Sequence, residues 1–421
     1  MNDQISRRQF VKTSTLALGA TVALSRAQVS PGETLRIGLV GCGGRGTGAA
    51  ADALHSDANI KLVAVGDVFA DRLKSSLQTL SKQDIAKKID VPEKHQFIGF
   101  DAYQKVIAES DVVLLATPPH FRPIHMQAAI DAGKHVFAEK PVAVDAPGVR
   151  KVLATCEAAK KKNLSIVSGL AIRYSYAHRE IVKRIHEGAL GKIRTLQAND
   201  FRGPIWVKPR QPDWTDMEYH MRNWYYFTWL SGDFNVEQHI HMLDLCSWVM
   251  KDEYPVRAYG TGGRQVRTAP EYGNIYDHHS VTYEYENGQK LFAACRQMAG
   301  CSNDISVHVA GAKGIATLDR RIMQIDTGEK WRYTGEKNNQ SQTEHEELFA
   351  SIRSGKPINN GEYMTKSTLL AIMGRMATYT GQTITWDQAM NSQEDLSPSG
   401  YTWDAKPPES PIPIPGVTRF V

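Results

Sequence analysis

Three polar residues in one short segment, Glu237, His241 and Asp244, have the side-chain types and the spacing that proton transfer from a hydroxyl group requires. If the segment is helical, they lie at i, i+4 and i+7 and share one face. A carboxylate beside a histidine orients the imidazole and increases its basicity. The pattern therefore indicates His241 as a general base and Glu237 as its carboxylate neighbour.

Two other interpretations stay open for this segment. His239 and His241 form an H-x-H pattern near two carboxylates, which could also suggest a metal site. The two imidazoles would diverge on a helix, so we expect no metal ion here. His241 could also have a purely structural role.

A second candidate catalytic group, Lys140, follows a predicted buried strand at residues 134–138. Ligands of open α/β sheets bind beyond the carboxyl ends of the strands, so Glu139 and Lys140 are expected to border the cofactor. Glu139 and Pro141 would fix the backbone on either side of the lysine.

The element that would position this chemistry is a glycine loop between predicted strands at residues 34–40 and 60–65. Gly41 would form the tight turn, Gly43 would let backbone N–H groups approach a pyrophosphate, and Gly46 would let helix and strand touch. The order of strand, loop and helix predicts a dinucleotide site, whose loop contacts are expected from Gly41, Gly43, Gly44, Arg45 and Gly46.

An acidic residue at the end of the second predicted strand indicates which dinucleotide binds. Asp67 lies 21 residues beyond Gly46, where a carboxylate would accept hydrogen bonds from the adenine ribose hydroxyls. The same carboxylate would repel a 2′-phosphate. We therefore expect NAD as the cofactor, with NADP less favoured.

A third loop, at residues 117–123, follows another buried apolar run. Thr117, Pro118 and His120 are expected to border the nicotinamide or its ribose, because this loop also follows a strand end. For His120 alone, a proline-stiffened turn without a ligand is an equally good interpretation.

The chain has 421 residues. A single hydrophobic core usually supports a shorter chain, so this length predicts two domains. The net charge of +5 is modest and no long basic run is present, so nucleic acid is not an expected partner.

We expect an α/β protein with an N-terminal Rossmann domain built on a parallel sheet. A C-terminal α+β domain with a large open, mostly antiparallel sheet is expected to follow. The predicted divisions are a signal and linker at residues 1–33, the nucleotide domain at 34–155, the substrate and oligomerisation domain at 156–393, and a proline-rich arm at 394–421.

These motifs together resemble the Gfo/Idh/MocA family of oxidoreductases, over roughly residues 34–390. The resemblance rests on the glycine loop, Asp67, the T-P-P-H turn and Glu139-Lys140-Pro141. It implies that Lys140 contacts both nicotinamide and substrate and that His241 is the catalytic base. Glu237 stands where many members have aspartate, which puts the reach of that carboxylate in doubt.

Several further expectations come from this resemblance. Arg173 and Tyr174, after a predicted strand, would bind substrate together with Glu237 and His241, although ordinary structural roles fit the first two equally well. The open face of the second sheet would form a homodimer or homotetramer contact. The resemblance implies oxidation of a hydroxyl on a small carbohydrate or polyol, with a redox-neutral NAD-dependent glycosidase like glycoside hydrolase family 109 as the alternative. A non-catalytic nucleotide-binding sensor is a third possibility.

Two segments outside the motifs carry their own expectations. Residues 199–230 are rich in tryptophan and tyrosine and could stack on sugar rings, although such clusters more often form a core or a subunit interface. The proline-rich residues beyond 394 are expected to form an extended arm, laid on a neighbouring subunit.

The N-terminus resembles a twin-arginine export signal. Arg7 and Arg8 precede a short apolar stretch at residues 16–24, and small residues follow up to Ala27. The stretch is too short to span a membrane, so the mature protein is expected to be exported, to the periplasm for instance, without membrane insertion. Because this pathway carries folded proteins, NAD is expected to travel tightly bound inside the enzyme. A disordered basic tail is the alternative interpretation.

Overall fold

The computed structural model describes residues 32–319 and 322–421. The predicted export signal at residues 1–27 lies outside the described residues. Within the described part of the chain, no helix is both long enough and apolar enough to cross a membrane.

The first sheet is the parallel sheet that the sequence predicts. Within residues 32–319 and 322–421 its six strands pair in the order β3-β2-β1-β4-β5-β6, and every pair is parallel. β4 is a continuous apolar run with all four residues buried, as expected of a strand covered on both faces. The strands are Leu35–Val40 (β1), Ile60–Asp67 (β2), Gln96–Ile98 (β3), Val112–Leu115 (β4), His135–Ala138 (β5) and Ile166–Ser168 (β6).

Helices cover both faces of this sheet and connect its strands. They are Gly44–Ser56 (α1), Ala70–Leu80 (α2), Ala102–Glu109 (α3), Arg122–Asp131 (α4) and Ala146–Lys161 (α5). The predicted domain boundary at residue 155 falls inside α5, and the sheet continues beyond it to β6. The strand order reverses between β1 and β4, so the loops after these two strands open the crevice where α/β proteins bind ligands.

The second sheet is open and mostly antiparallel, as expected. Its nine strands within the described residues pair in the order β14-β13-β12-β11-β7-β10-β9-β8-β15, and only β7 and β10 run parallel. Buried residues alternate along β10, which shows that helices cover one face alone. The strands are Ile193–Arg202 (β7), Arg257–Gly263 (β8), His278–Glu284 (β9), Lys290–Gln297 (β10), Asp304–Gly311 (β11), Ile315–Asp319 (β12), Met323–Asp326 (β13), Lys330–Arg332 (β14) and Ile384–Thr385 (β15).

Among the helices of the second domain, α6, α10 and α12 pack on this sheet, whereas α11 packs on α1 and on strands β5 and β6 of the first sheet. The longest, α12, is buried along almost its whole length and contacts α5, α10 and β8. The helices are Tyr176–His186 (α6), Asp216–Arg222 (α7), Thr228–Ser231 (α8), Phe234–Glu237 (α9), Ile240–Val249 (α10), Gln340–Ser354 (α11), Gly361–Thr380 (α12) and Trp386–Asn391 (α13).

The C-terminal arm packs on its own chain. Tyr401 lies near Phe121, with ring centroids 5.6 Å apart, and its hydroxyl is 2.8 Å from Nε2 of His120. The amide of Leu396 donates to Asp145 Oδ2 at 3.0 Å. These contacts hold the arm against the first domain, and its expected contact with a neighbouring subunit stays a prediction.

Candidate cofactor and catalytic site

The glycine loop has the backbone geometry that the sequence predicts. Gly41 has a φ of +97°, and a Cβ at this position would lie 2.6 Å from the amide nitrogen of Thr117. A Cβ at Gly46 would lie 1.8 Å from the carbonyl oxygen of Gly41. Both positions therefore require glycine, one for the turn and one for the contact of α1 with the loop.

The loop also fits a dinucleotide pyrophosphate. A Cβ at Gly43 or Gly44 would meet no atom within 4 Å, and both residues line a cavity of about 530 Å³. Phosphate oxygens can thus approach the backbone N–H groups at the N-terminus of α1, where the helix dipole favours negative charge.

Asp67 lies at the end of β2 and lines the same cavity. Its Oδ2 accepts a hydrogen bond from the amide of Cys42 at 2.6 Å, and its Oδ1 accepts one from the amide of Phe69 at 2.9 Å. Each carboxylate oxygen can accept a further hydrogen bond from a ribose hydroxyl. Burial raises the pKa of Asp67, while the two amides act in the opposite direction.

The loop after β4 contributes to the cavity in part. Thr117 and Pro118 line it, as predicted. His120 is buried among aromatic rings instead, 5.1 Å from the ring centroid of Trp229 and hydrogen-bonded to Tyr401. Burial lowers the pKa of His120 to about 4, so the imidazole is neutral near pH 7. Its placement favours the interpretation of a packed turn over a cofactor contact.

Arg45 lines the cavity and also contacts Glu139, so these two predicted cofactor residues lie together. Arg45 Nε donates to Glu139 Oε1, and Arg45 Nη2 donates to Glu344 Oε1 of α11 at 3.1 Å. Both carboxylates are buried. Burial, with Glu139 nearby, raises the pKa of Glu344 well above its usual value. This cluster fixes the glycine loop against the end of β5.

Lys140 and Glu237 come together, although they lie far apart in the sequence. Lys140 Nζ is 2.9 Å from Glu237 Oε1 and 2.5 Å from the backbone oxygen of Glu237. The two side chains are only 12% and 14% exposed. A largely desolvated ammonium and carboxylate, held at the carboxyl end of β5, can position and polarise a hydroxyl group.

The predicted catalytic helix is interrupted, which corrects the expectation of one continuous face. α9 ends at Glu237 and α10 begins at Ile240, so Glu237 and His241 belong to different helices. The break lies at Gln238 and His239, where Gln238 has a φ of −109° and the amide of His241 donates to the carbonyl of Gln238. Before α9, Asp233 has a φ of +77° and accepts hydrogen bonds from the amides of Asn235 and Tyr276. This buried carboxylate holds α9 in place, and the chain turns again after Glu237.

His241 lines a second cavity of about 170 Å³. Gln238, Arg202 and His178 line the same cavity, which therefore combines hydrogen-bonding groups with apolar side chains such as Met242. His239 points elsewhere, since it is buried and its Nδ1 is 3.1 Å from Asn235 Oδ1. The two histidines thus diverge, as the sequence predicts. Among the described residues no cluster of three or more metal-ligand side chains is present.

Arg173 and Tyr174 have partners within the protein. Arg173 is buried and forms ion pairs with Asp244 at 2.8 Å and Asp252 at 2.6 Å. The Tyr174 hydroxyl donates to Asn360 Oδ1 at 2.8 Å. These contacts favour the structural interpretation over substrate binding, and they also remove Asp244 from the face predicted to hold the general base.

The cavity around the glycine loop includes residues that the sequence did not single out as ligands. Phe69 and Arg72 follow Asp67 closely, so their position near the nucleotide could have been inferred from the motif. Others arrive from the second domain, and no local signal identifies them: Trp206, Lys208, Met221, Arg222 and Trp224. The aromatic segment at 199–230 thus contributes Trp206 and Trp224 to the cavity of the glycine loop, while Tyr225, Tyr226 and Trp229 are buried in the core.

Two family models match this chain, and together they span more than half of it. Residues 35–167 match the model described as "Oxidoreductase family, NAD-binding Rossmann fold". Residues 178–317 match the "GFO/IDH/MocA C-terminal domain". The two matches correspond to the two sheets of the structure.

Relatives and solved structures agree with these matches. An inositol 2-dehydrogenase of Rhizobium meliloti (strain 1021) is 25% identical over 302 residues, which are 72% of this chain and 81% of the relative. A glycosyl hydrolase family 109 protein of Shewanella pealeana is 23% identical over 213 residues, which are 45% of this chain and 44% of the relative. The crystal structure of aldose-aldose oxidoreductase from Caulobacter crescentus has the same fold, with a TM-score of 0.67 at 20% identity, covering 84% of this chain and 100% of that one.

The close contact at Gly46 predicts that a single methyl group there disturbs the cofactor site. Gly46→Ala should weaken NAD binding at least about tenfold, because the new Cβ must push α1 away from the carbonyl of Gly41. Gly48→Ala is the matched control in the same helix, since its Cβ would meet only Arg45 Nη1 at 4.0 Å. Titration of NAD by calorimetry measures both, and equal affinities would contradict the assigned role of Gly46.

The ion pairs of Arg173 predict a stability effect. Arg173→Ala should lower the free energy of unfolding by about 3–5 kcal/mol, because it leaves Asp244 buried without its partner. Arg36→Ala, which removes a surface pair with Asp111, should change it by less than about 1 kcal/mol. Urea unfolding measures the difference. Unchanged stability with a raised KM for Arg173→Ala would instead indicate substrate binding.

Proposed function

Because this chain belongs to the Gfo/Idh/MocA family of NAD-binding oxidoreductases, we propose that it oxidises a hydroxyl group of a sugar, glycoside or polyol. The observation that carries the proposal is the contact of Lys140 with Glu237 at the end of β5. The next residue, Gln238, borders the cavity that His241 also lines. In the proposed reaction, His241 and the Lys140–Glu237 pair act on one hydroxyl group.

The residues divide the proton and charge chemistry among themselves. His241 removes the hydroxyl proton as general base. Lys140 donates a hydrogen bond to the same oxygen, and Glu237 holds the ammonium in position. When bound, NAD supplies the acceptor for the hydride that leaves the carbon bearing this hydroxyl. The low exposure of Lys140 and Glu237 limits competition from water.

The substrate class is supported by the second cavity and by the relatives. The cavity of about 170 Å³ suits a ligand no larger than about one sugar or cyclitol ring, and its polar lining offers hydrogen-bond partners for several hydroxyl groups. The similarity to an inositol 2-dehydrogenase points in the same direction.

A redox-neutral glycosidase is the second candidate. Its support is the similarity to a glycosyl hydrolase family 109 protein. In this alternative, the same lysine and histidine would serve a transient oxidation that lets the aglycone leave, after which the hydride returns to the sugar. The two candidates differ in their net result, since only the first leaves the cofactor reduced.

Export by the twin-arginine pathway, for instance to the periplasm, is also part of the proposal. Its support is the sequence around Arg7 and Arg8, and tight retention of NAD follows, because exported protein cannot exchange with the cytoplasmic pool. Replacing both arginines by lysine should keep the protein in the cytoplasm. Unchanged export of that variant, measured by cell fractionation, would refute the assignment.

We further propose a homodimer or homotetramer formed through the open face of the second sheet. Large apolar side chains on these strands are exposed, among them Tyr259, Phe292 and Ile315. Light scattering of the purified chain measures the assembly, and a monomer at all concentrations would refute it.

The proposed reaction predicts the behaviour of the purified protein with a panel of inositols, aldoses and aryl glycosides. An oxidised substrate should give a lasting absorbance rise near ~340 nm from reduced nicotinamide. Release of aglycone without a net rise would favour the glycosidase. If no compound gives either signal, the protein binds the nucleotide but does not catalyse the proposed reaction.

His241→Ala tests the general base within the same assay. We expect the rate of the absorbance rise to be at least about a hundredfold lower, because the hydroxyl proton then has no acceptor. The amount of bound NAD should equal that of the parent protein. His55→Ala, at the end of α1, is the control and should keep full activity. Turnover of His241→Ala near the parental rate would refute the assignment.

A further inference from the structure

The cofactor cavity is walled in part by a segment of the second domain. Trp206, Lys208 and Trp224 line the same cavity as the glycine loop and Asp67. They precede the helices that carry Glu237 and His241 and belong to neither the first sheet nor its connecting helices. A dinucleotide in this cavity is therefore enclosed by two domains.

Arg222 attaches this segment to the first domain beside Asp67. Its guanidinium lies 4.0 Å from the ring centroid of Phe69, two residues beyond Asp67. It also contacts Asp71 at 3.3 Å and Glu218 at 2.8 Å. Stacking and charge thus hold the segment against the turn that follows β2.

The C-terminal arm supports the same wall from its outer side. Trp403 stacks on Phe69 with centroids 5.4 Å apart and lies 4.8 Å from Phe100. Phe69 and Phe100 both line the cofactor cavity. An arm residue more than 300 positions away in the sequence thus fixes two rings that face the nucleotide.

Charge in the cavity also fits a dinucleotide. Lys208 lines the cavity, and within residues 32–319 and 322–421 no carboxylate lies within 4.0 Å of its ammonium. Arg45 and Arg222, in contrast, are paired with carboxylates, whereas Arg72, which also lines the cavity, forms no ion pair with a described carboxylate. The Lys208 ammonium is therefore available to an anionic ligand, such as the pyrophosphate of NAD.

We propose that residues 206–224 and the arm residues 396–403 form a clasp that completes the NAD site and slows its release. Lys208 pairs with the cofactor pyrophosphate, while Trp403 holds Phe69 and Phe100 against the adenosine portion. Both elements belong to the same chain that binds the nucleotide. The inference rests on the proposed retention of NAD and not on the proposed substrate.

Release of NAD from the purified full-length chain tests the clasp. NADH in excess replaces the bound NAD, and NADH fluorescence reports the rate at which NAD leaves. Trp403→Ala should release NAD about tenfold faster, since two cavity rings lose their support. Lys208→Met should release it severalfold faster and with a weaker dependence on salt. Ile414→Ala, on an exposed part of the arm, and Lys330→Met, on the surface, are the matched controls.

Each outcome has a defined meaning. Faster release by both variants, with controls like the parent, supports the clasp, and rates equal to the controls for both overturn it. If only Lys208→Met is faster, the role of the arm is overturned. If Trp403→Ala does not fold by circular dichroism, Lys208→Met alone decides. A parent protein that is purified without NAD would contradict the proposed retention. The ratio of the NAD release rates of variant and parent, measured after loading with NAD, would still test the clasp.

Discussion

The ion pair between Lys140 and Glu237 is the contact on which the site depends, because it joins the end of β5 in the first sheet to α9 in the second domain. Neither partner reaches its position alone. Buried Asp233 accepts hydrogen bonds from the amide of Tyr276 and the hydroxyl of Tyr379 and so fixes the start of α9. A mostly desolvated ion pair requires such support, since its members lose hydration that only exact geometry replaces.

A second group of charges holds the nucleotide side of the site. Arg45 lies between two buried carboxylates, Glu139 and Glu344, and thereby connects the glycine loop, the end of β5 and α11. Burial, and after it the charge of Glu139, raises the pKa of Glu344 well above its usual value, although Arg45 acts in the opposite direction. The residue before the candidate catalytic lysine is therefore fixed by the loop that binds the cofactor, so binding and chemistry share one framework.

The sequence by itself determined the parts of this protein that depend on local geometry. The turn at Gly41, the close contact at Gly46 and the acid at the end of β2 follow from neighbours along the chain, and each was predicted. The open, mostly antiparallel second sheet was also predicted, and the burial that alternates along β10 agrees with it. Such features can be predicted from the sequence because steric limits and strand periodicity act over only a few neighbouring residues.

The tertiary structure alone decided which distant groups meet. Arg173 pairs with Asp244, and His120 bonds to Tyr401, and both contacts favour structural roles for these residues. Helical spacing predicts one continuous catalytic face, whereas the turn at Gln238 and His239 divides it between two helices. In each case the deciding energy lies in the burial and pairing of polar groups from remote segments. The spacing of residues along the chain cannot predict this energy, because it arises only when distant segments come into contact in the folded protein.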